Sequence, residues 1–290
     1  FEPFTATALG RDVKRLTAWS SSTETGDRDE LTPGVPERSW AQVSVSAREC
    51  LGMARCPYGS DCFAEKARAE AGRADVVVTN HALLAIDAIA EASVLPEHRL
   101  LVVDEAHDLV DRVTSVATGE LTPTPLGVAT RRIARLVNPE LSQRMEAAVA
   151  TFSSAIHDMA PGRIDYLDDE LGTYLTALRD AATAARSDIN PSPADPKAAA
   201  ARNEALAALT EIAETAARVL DSFGPAIPDR TDVVWLDQEE TRPAPAGRSE
   251  ATRGSAPAVR PVLRVAPLSV AGLLQSRLFE GSTAVLTSAT

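Results

Sequence analysis

The sequence predicts an α/β fold interrupted by a long helical stretch. Two short apolar runs, ADVVVTN (residues 74–80) and the LLVV of HRLLVVDEAH (98–107), have the texture of buried parallel strands. Between them ALLAIDAIAEA reads as a helix. Strand, helix and strand within about thirty residues make a βαβ unit, the building block of an α/β sheet. Beyond it, from Val113 to Phe223, alanine and arginine dominate and the period becomes helical.

In chain order, Ala8 to Trp19 reads as a helix, and SSSTETGDRDELTPGVPE as a turn-rich surface loop. Cys50, Cys56 and Cys62 follow in a segment rich in Gly and Pro, and residues 1–73 are grouped with them. Residues 74–112 carry the βαβ unit. Residues 113–228 are expected to form an inserted all-helical domain. Its helices are LGVATRRIARLV, LSQRMEAAVATFSSAIHDM, LDDELGTYLTALRDAATAAR and KAAAARNEALAALTEIAETAARVLDSF, the last two separated by NPSPADP. Residues 229–290 return to β texture in DVVWLDQ and PVLRVAPLS. A low-complexity Pro/Ala/Gly/Arg stretch at 241–258 lies between these two. The helix VAGLLQSRLFEG then leads to STAVLTSAT.

Composition excludes several classes. Hydrophobic residues at 44% and charged residues at 24% argue against global disorder. No apolar run reaches the ~20 residues of a membrane span. The sequence shows no charged-then-apolar signal segment, FEPFTATALGRD reads like the middle of a protein, and three cysteines in 290 residues are not a disulfide scaffold, so a reducing, cytoplasmic setting is expected. A net charge of −12 repels nucleic-acid phosphates at long range. Any contact with nucleic acid therefore rests on local basic patches or on parts of a longer protein.

The most informative run is LLVVDEAHDL. Its four apolar strand residues deliver Asp104 and Glu105 to the carboxyl end of a strand, where parallel α/β sheets bind ligands. An Asp there can hold Mg²⁺ through its water shell, and a neighbouring Glu can orient and deprotonate an attacking water. Phosphoryl transfer needs both beside a nucleotide's γ-phosphate. His107 lies three residues beyond Asp104, in reach of the γ-phosphate. STAVLTSAT brings Ser288, Ala289 and Thr290 to a second strand end, where hydroxyls can hydrogen-bond the His107 imidazole. An acidic pair ending a strand is ordinarily a solvated loop; the full D-E-A-H with S-A-T is much more specific.

The C-x5-C-x5-C spacing of Cys50, Cys56 and Cys62 points to a shared metal. Zinc sites favour C-x2–4-C pairs. The wider spacing suits an iron–sulfur cluster better. Either needs a fourth ligand, and the nearest imidazole, His81, ends an expected strand.

Taken together, these residues resemble the iron–sulfur superfamily 2 DNA helicases of the DinG/XPD type, most of all the bacterial DinG-like members. The order agrees: cysteine cluster, ADVVVTNHALL, VVDEAHDL, helical insertion, VLTSAT. The resemblance is specific at residues 50–112 and 262–290 and weak across the insertion. It implies a P-loop (RecA-like) motor domain with an iron–sulfur segment, and an inserted helical arch that closes over single-stranded DNA. By the same resemblance Asp104 would coordinate Mg²⁺ and Glu105 would be the catalytic base. His107, Ser288 and Thr290 would couple ATP turnover to DNA movement. Cys50, Cys56 and Cys62 would be three of four 4Fe–4S ligands. Asn80 and His81 fall in the TNHALL-like segment, near the DNA and nucleotide clefts. Tyr58 and Phe63, between and beside the cysteines, are candidates for stacking on bases or for packing on the cluster.

The resemblance further implies 5′ to 3′ translocation in repair or replication, on single-stranded or forked and displaced-strand DNA. The protein is expected to be monomeric, bacterial and nucleoid-associated when acting. The departures are plain. G-x-x-x-x-G-K-[ST] is absent, since none of Lys14, Lys66 and Lys197 follows a glycine. The second motor domain would follow Thr290. The chain is thus expected to be an internal fragment, inactive by itself. Arg48, Arg55, Lys66, Arg68 and Arg73 make the cysteine region locally basic, and Arg131, Arg132 and Arg135 line a helix. Other readings are a nuclease–helicase fusion, a metal-binding DNA-interaction module, or a degenerate homologue without turnover.

Overall fold

The computed structural model describes residues 7–45, 49–89, 94–189, 196–240 and 259–289. The low-complexity stretch 241–258, most of NPSPADP, Arg48 and Thr290 lie outside the described residues. The chain divides into two compact units, Phe1–Glu70 with Pro193–Glu204, and Ala71–Ser192 with Ala205–Thr290.

In the first unit, α1 (Ala8–Ser20) starts where the Thr7 hydroxyl accepts from Gly10 N, satisfying an amide the helix cannot. Its Leu16 packs with Leu31 and Val35 from the expected surface loop, and with Trp19 and Trp40. The loop is therefore more structured than its polar composition predicts. It holds a 3₁₀ turn at Arg28–Glu30 and leads into the short α2 (Glu37–Trp40), whose Ser39 donates to Asp12. The cysteine segment leads into α3 (Phe63–Ala71).

The second unit begins with a correction. Residues 74–80 form no strand; Val76 and Val78 are 79% and 92% exposed. An apolar run becomes a strand only where a ladder accepts it, and here no partner strand among the described residues does. The expected βαβ pairing is replaced by a different parallel pair. After α4 (His81–Ile89), β1 (Leu100–Val103) pairs with the last strand of the chain.

The segment expected as all-helical is mixed. α5 (Leu109–Ala117) leads to β2 (Gly119–Leu121), and α6 (Pro123–Ile133) and α7 (Pro139–Asp158) follow, each opening on proline at its first position. β3 (Gly162–Arg163) precedes α8 (Asp169–Asp188), which is capped by the Asp168 carboxylate on Leu171 N, and α9 (Pro196–Asp221), which belongs to this unit from Ala205 on, closes the series. β4 (Asp232–Glu240) and β5 (Val259–Pro267) then complete an antiparallel sheet in the order β2-β5-β4-β3. One core joins helices and sheet, with Phe152, Leu175, Leu178 and Leu209 packed alongside Leu121, Leu236 and Leu263. The sheet thus draws strands from both sides of residue 228.

α10 (Ala271–Leu274) runs into a π-helical turn, Gln275–Phe279, and then into β6 (Thr283–Leu286). β6 lies parallel to β1 with Val103 opposite Leu286. Val103 packs beneath with Leu84, Leu109, Val113, Val270, Leu274 and Leu278. This second core fixes the two strand ends that carry the acidic motif and the hydroxyls. No described helix is long and apolar enough to cross a membrane.

Candidate functional site

The carboxyl ends of β1 and β6 meet. Backbone bonds continue their pairing past the strands: Thr287 N donates to Val103 O at 2.8 Å, and Ala106 N to Thr287 O at 2.8 Å. The D-E-A-H turn is therefore stitched to the T-S-A-T end on both sides of Thr287.

Asp104 leaves β1 as an exposed carboxylate. Its Oδ1 accepts from the Thr287 hydroxyl at 2.7 Å and from Glu105 N at 3.0 Å. The Thr287 hydrogen bond, then the Glu105 amide, hold its pKa below the usual carboxylate value; they outweigh a smaller opposing effect of desolvation, and the nearby His81 adds the least. Both donors fall on Oδ1, which leaves Oδ2 for a metal-bound water. An exposed oxygen ligand of this kind fits Mg²⁺, which keeps several waters when bound.

Glu105 is the one non-glycine residue at positive φ among the described residues, at φ 48° and ψ 47°. A side chain in this region costs about 1–2 kcal/mol. Glu105 stands between the end of the strand and the 3₁₀ turn Ala106–Asp108. His107 Nδ1 lies 2.9 Å from Ser288 Oγ and 3.3 Å from Glu105 Oε2, and its Nε2 lies 3.6 Å from Asp108 Oδ1. The imidazole thus bridges the acidic turn and the S-A-T strand, the contact expected from the sequence.

His81 approaches from the start of α4, with Nε2 2.8 Å from the Asp104 backbone carbonyl. Asn80 caps that helix, its Oδ1 accepting from Leu83 N at 2.8 Å. Asn80 thereby has a structural duty, and His81 braces the acidic strand end. Thr287 was not singled out by the sequence. Its signal was position alone, one residue before S-A-T and one past the strand.

The cysteines are arranged differently from expectation. Cys50, Cys56 and Cys62 are free, half-buried thiols. Among the described residues no three His, Cys, Asp or Glu side chains converge into a group able to hold a metal ion. The segment follows its own turns instead: Cys56 N donates to Gly52 O, Gly59 N to Cys56 O, and Gly52 N lies 3.4 Å from the Cys50 sulfur. Metal ligands commonly converge only as the metal binds, because binding and folding are coupled. The three thiols as they stand do not fit a cluster. Tyr58 is 74% exposed. Phe63 is not open in this way: its ring lies where a side chain on Gly26 would stand, with the Lys66 ammonium 5.9 Å from its centroid.

The chain is a mixed α/β protein whose acidic strand end is hydrogen-bonded to the hydroxyls of a neighbouring strand. No family model matches the sequence. Over all 290 residues the chain is 65% identical to the ATP-dependent helicase DinG of Mycobacterium tuberculosis H37Rv, and the match takes in 41% of that protein. It is also 38% identical over 105 residues to the ATP-dependent DNA helicase YoaA of Escherichia coli K12, covering 34% of this chain and 16% of that protein. With the ATP-dependent DNA helicase DinG of Photobacterium profundum it shares 38% identity over 87 residues, 29% of this chain and 12% of the relative. Over its whole length the chain is thus similar to DinG-type helicases, and it spans less than half, 41%, of the length of its mycobacterial relatives.

Proposed function

We propose that the chain forms part of an ATP-dependent DNA helicase and contributes one half of its ATP site. The observation that supports this best is the joined strand end, where Asp104 is held by Thr287 and His107 by Ser288. In this reading Asp104 faces the metal side of the nucleotide and Glu105 takes the proton of the attacking water. His107 and Ser288, with Thr290, pass the state of the site to β6 and onward. Mg²⁺, when bound, neutralises charge on the phosphates and orders them for in-line attack.

The finer reading follows the family: an arch over single-stranded DNA, 5′ to 3′ movement on single-stranded or forked substrates, a monomeric protein at the bacterial nucleoid, and action in repair or replication. The phosphate-cradling G-x-x-x-x-G-K-[ST] motif does not occur in these residues, so the chain alone is expected to lack ATPase activity. A role for Cys50, Cys56 and Cys62 as three of four 4Fe–4S ligands rests on spacing and resemblance. Iron and sulfide analysis of the anaerobically purified full-length protein decides it, with one zinc or no metal as the opposing result.

The full-length protein carrying Glu105→Gln tests the motor reading. DNA-stimulated ATP hydrolysis should fall by about 10²–10⁴-fold, the usual worth of a positioned base, while ATP binding persists. Retention of wild-type turnover would remove Glu105 from the chemistry.

A further inference from the structure

We propose that Thr287 is a positioning residue for Asp104, and that two adjacent hydroxyls at the end of β6 have separate duties, Thr287 orienting the Asp104 carboxylate and Ser288 the His107 imidazole. The inference rests on the helicase reading above, in which Asp104 faces the metal.

The geometry is specific. The Thr287 backbone is fixed on both sides, by its amide on Val103 O and its carbonyl under Ala106 N, each at 2.8 Å. Its hydroxyl therefore reaches Asp104 from a set position, at 2.7 Å from Oδ1. The Asp104 backbone is braced separately by His81 Nε2 on its carbonyl. What remains free in Asp104 is its side-chain rotation. An exposed carboxylate samples several rotamers unless something holds it. Two donors on one oxygen select a single one and leave the other oxygen for a metal-bound water. Thr287 lies one residue beyond β6, which ends at Leu286. Valine would fill the same space without donating, and serine would donate without the methyl.

That difference supplies the test. In the full-length protein, Thr287→Val and Thr287→Ser are compared by Mn²⁺ binding in the presence of ADP, read by electron paramagnetic resonance, and by DNA-stimulated ATP hydrolysis. Loss of one hydrogen bond to a charged group predicts Mn²⁺ binding weaker by about tenfold and kcat lower by about tenfold in Thr287→Val. The KM for ATP should stay within about twofold, because the carboxylate meets the metal rather than the base or sugar. Thr287→Ser should recover both quantities. The inference is overturned if Thr287→Val matches wild type in Mn²⁺ affinity, or if Thr287→Ser is as impaired as valine, which would make the methyl's packing the operative feature. If wild type binds Mn²⁺ yet hydrolyses no ATP, the helicase reading fails while the Mn²⁺ comparison still decides the role of Thr287. Absence of Mn²⁺ binding in wild type overturns both.

Discussion

Asp104 illustrates how single hydrogen bonds set the chemistry of an exposed site. Its pKa lies below the ordinary carboxylate value because Thr287 and the Glu105 amide donate to the charged form. The folded-state value being depressed, the contact is fully present above the unfolded pKa of about 3.8 and is lost only as pH falls through the lower folded value. Thr287→Val is therefore expected to move the Asp104 midpoint upward, so that protonation begins at higher pH. A carboxyl-carbon NMR titration of the chain measures it, and an unmoved midpoint would mean that the amide of Glu105 alone sets the value. D-E-A-H and S-A-T were legible in the sequence because they are local strings. The Thr287–Asp104 contact was not. It spans 183 positions and exists only because β1 and β6 pair in the register that sets Val103 against Leu286. The left-handed backbone of Glu105 was equally hidden, since nothing in its residue type favours it.

Among elements, the antiparallel sheet is tied across its face by one guanidinium. Arg264 on β5 donates through Nε to Glu120 of β2 at 2.8 Å, and through its other nitrogens to Asp237 and Glu239 of β4. Partial burial opposes its charge, yet the hydrogen bond and charge of Glu120, joined by Glu239 and Asp237, more than offset this and raise its pKa. Removing it leaves three carboxylates gathered without their cation. Arg264→Ala should destabilise the chain by about 2 kcal/mol, from hydrogen bonds to charged groups lost at a site only 17% exposed. Arg260→Ala, whose pair with Glu239 is 38% exposed on the arginine side, should cost under about 1 kcal/mol. Urea denaturation ranks the two, and equal losses would show that Arg264 acts as a surface pair despite its three partners. The long helices were legible from period alone, and α7, α8 and α9 fall close to their expected bounds. β2 and β3, of three and two residues, were not, because so short a strand has no period to read. The apolar run 74–80 failed for the converse reason: composition marks a segment that prefers a ladder, but the ladder must be supplied by other residues.

At the scale of the whole molecule, the acidic surface is interrupted by an apolar face on the parallel pair. Along β1 the pleat alternates: Val103 is 2% exposed over the core, while Leu100 and Val102 are 63% and 62% exposed on the other side. The register sets Val285, 45% exposed, beside Val102, so the bare face continues across both strands. Parallel strands ordinarily have cover on both faces. Contiguous apolar surface of this kind favours self-association and binds apolar dyes, whereas the net charge of −12 opposes association at low ionic strength and loses that effect as salt screens it. The chain by itself should therefore bind an anilinonaphthalene dye and associate increasingly as salt is raised. The double change Val102→Thr and Val285→Thr should lower dye fluorescence and restore the monomer in sedimentation. Stability should change by less than about 1 kcal/mol, since threonine keeps β-branching and neither side chain contributes to the core beneath. If dye binding and association were unchanged, the exposed valines at 76 and 78 would be the adhesive surface instead, and Val78→Thr would then carry the effect.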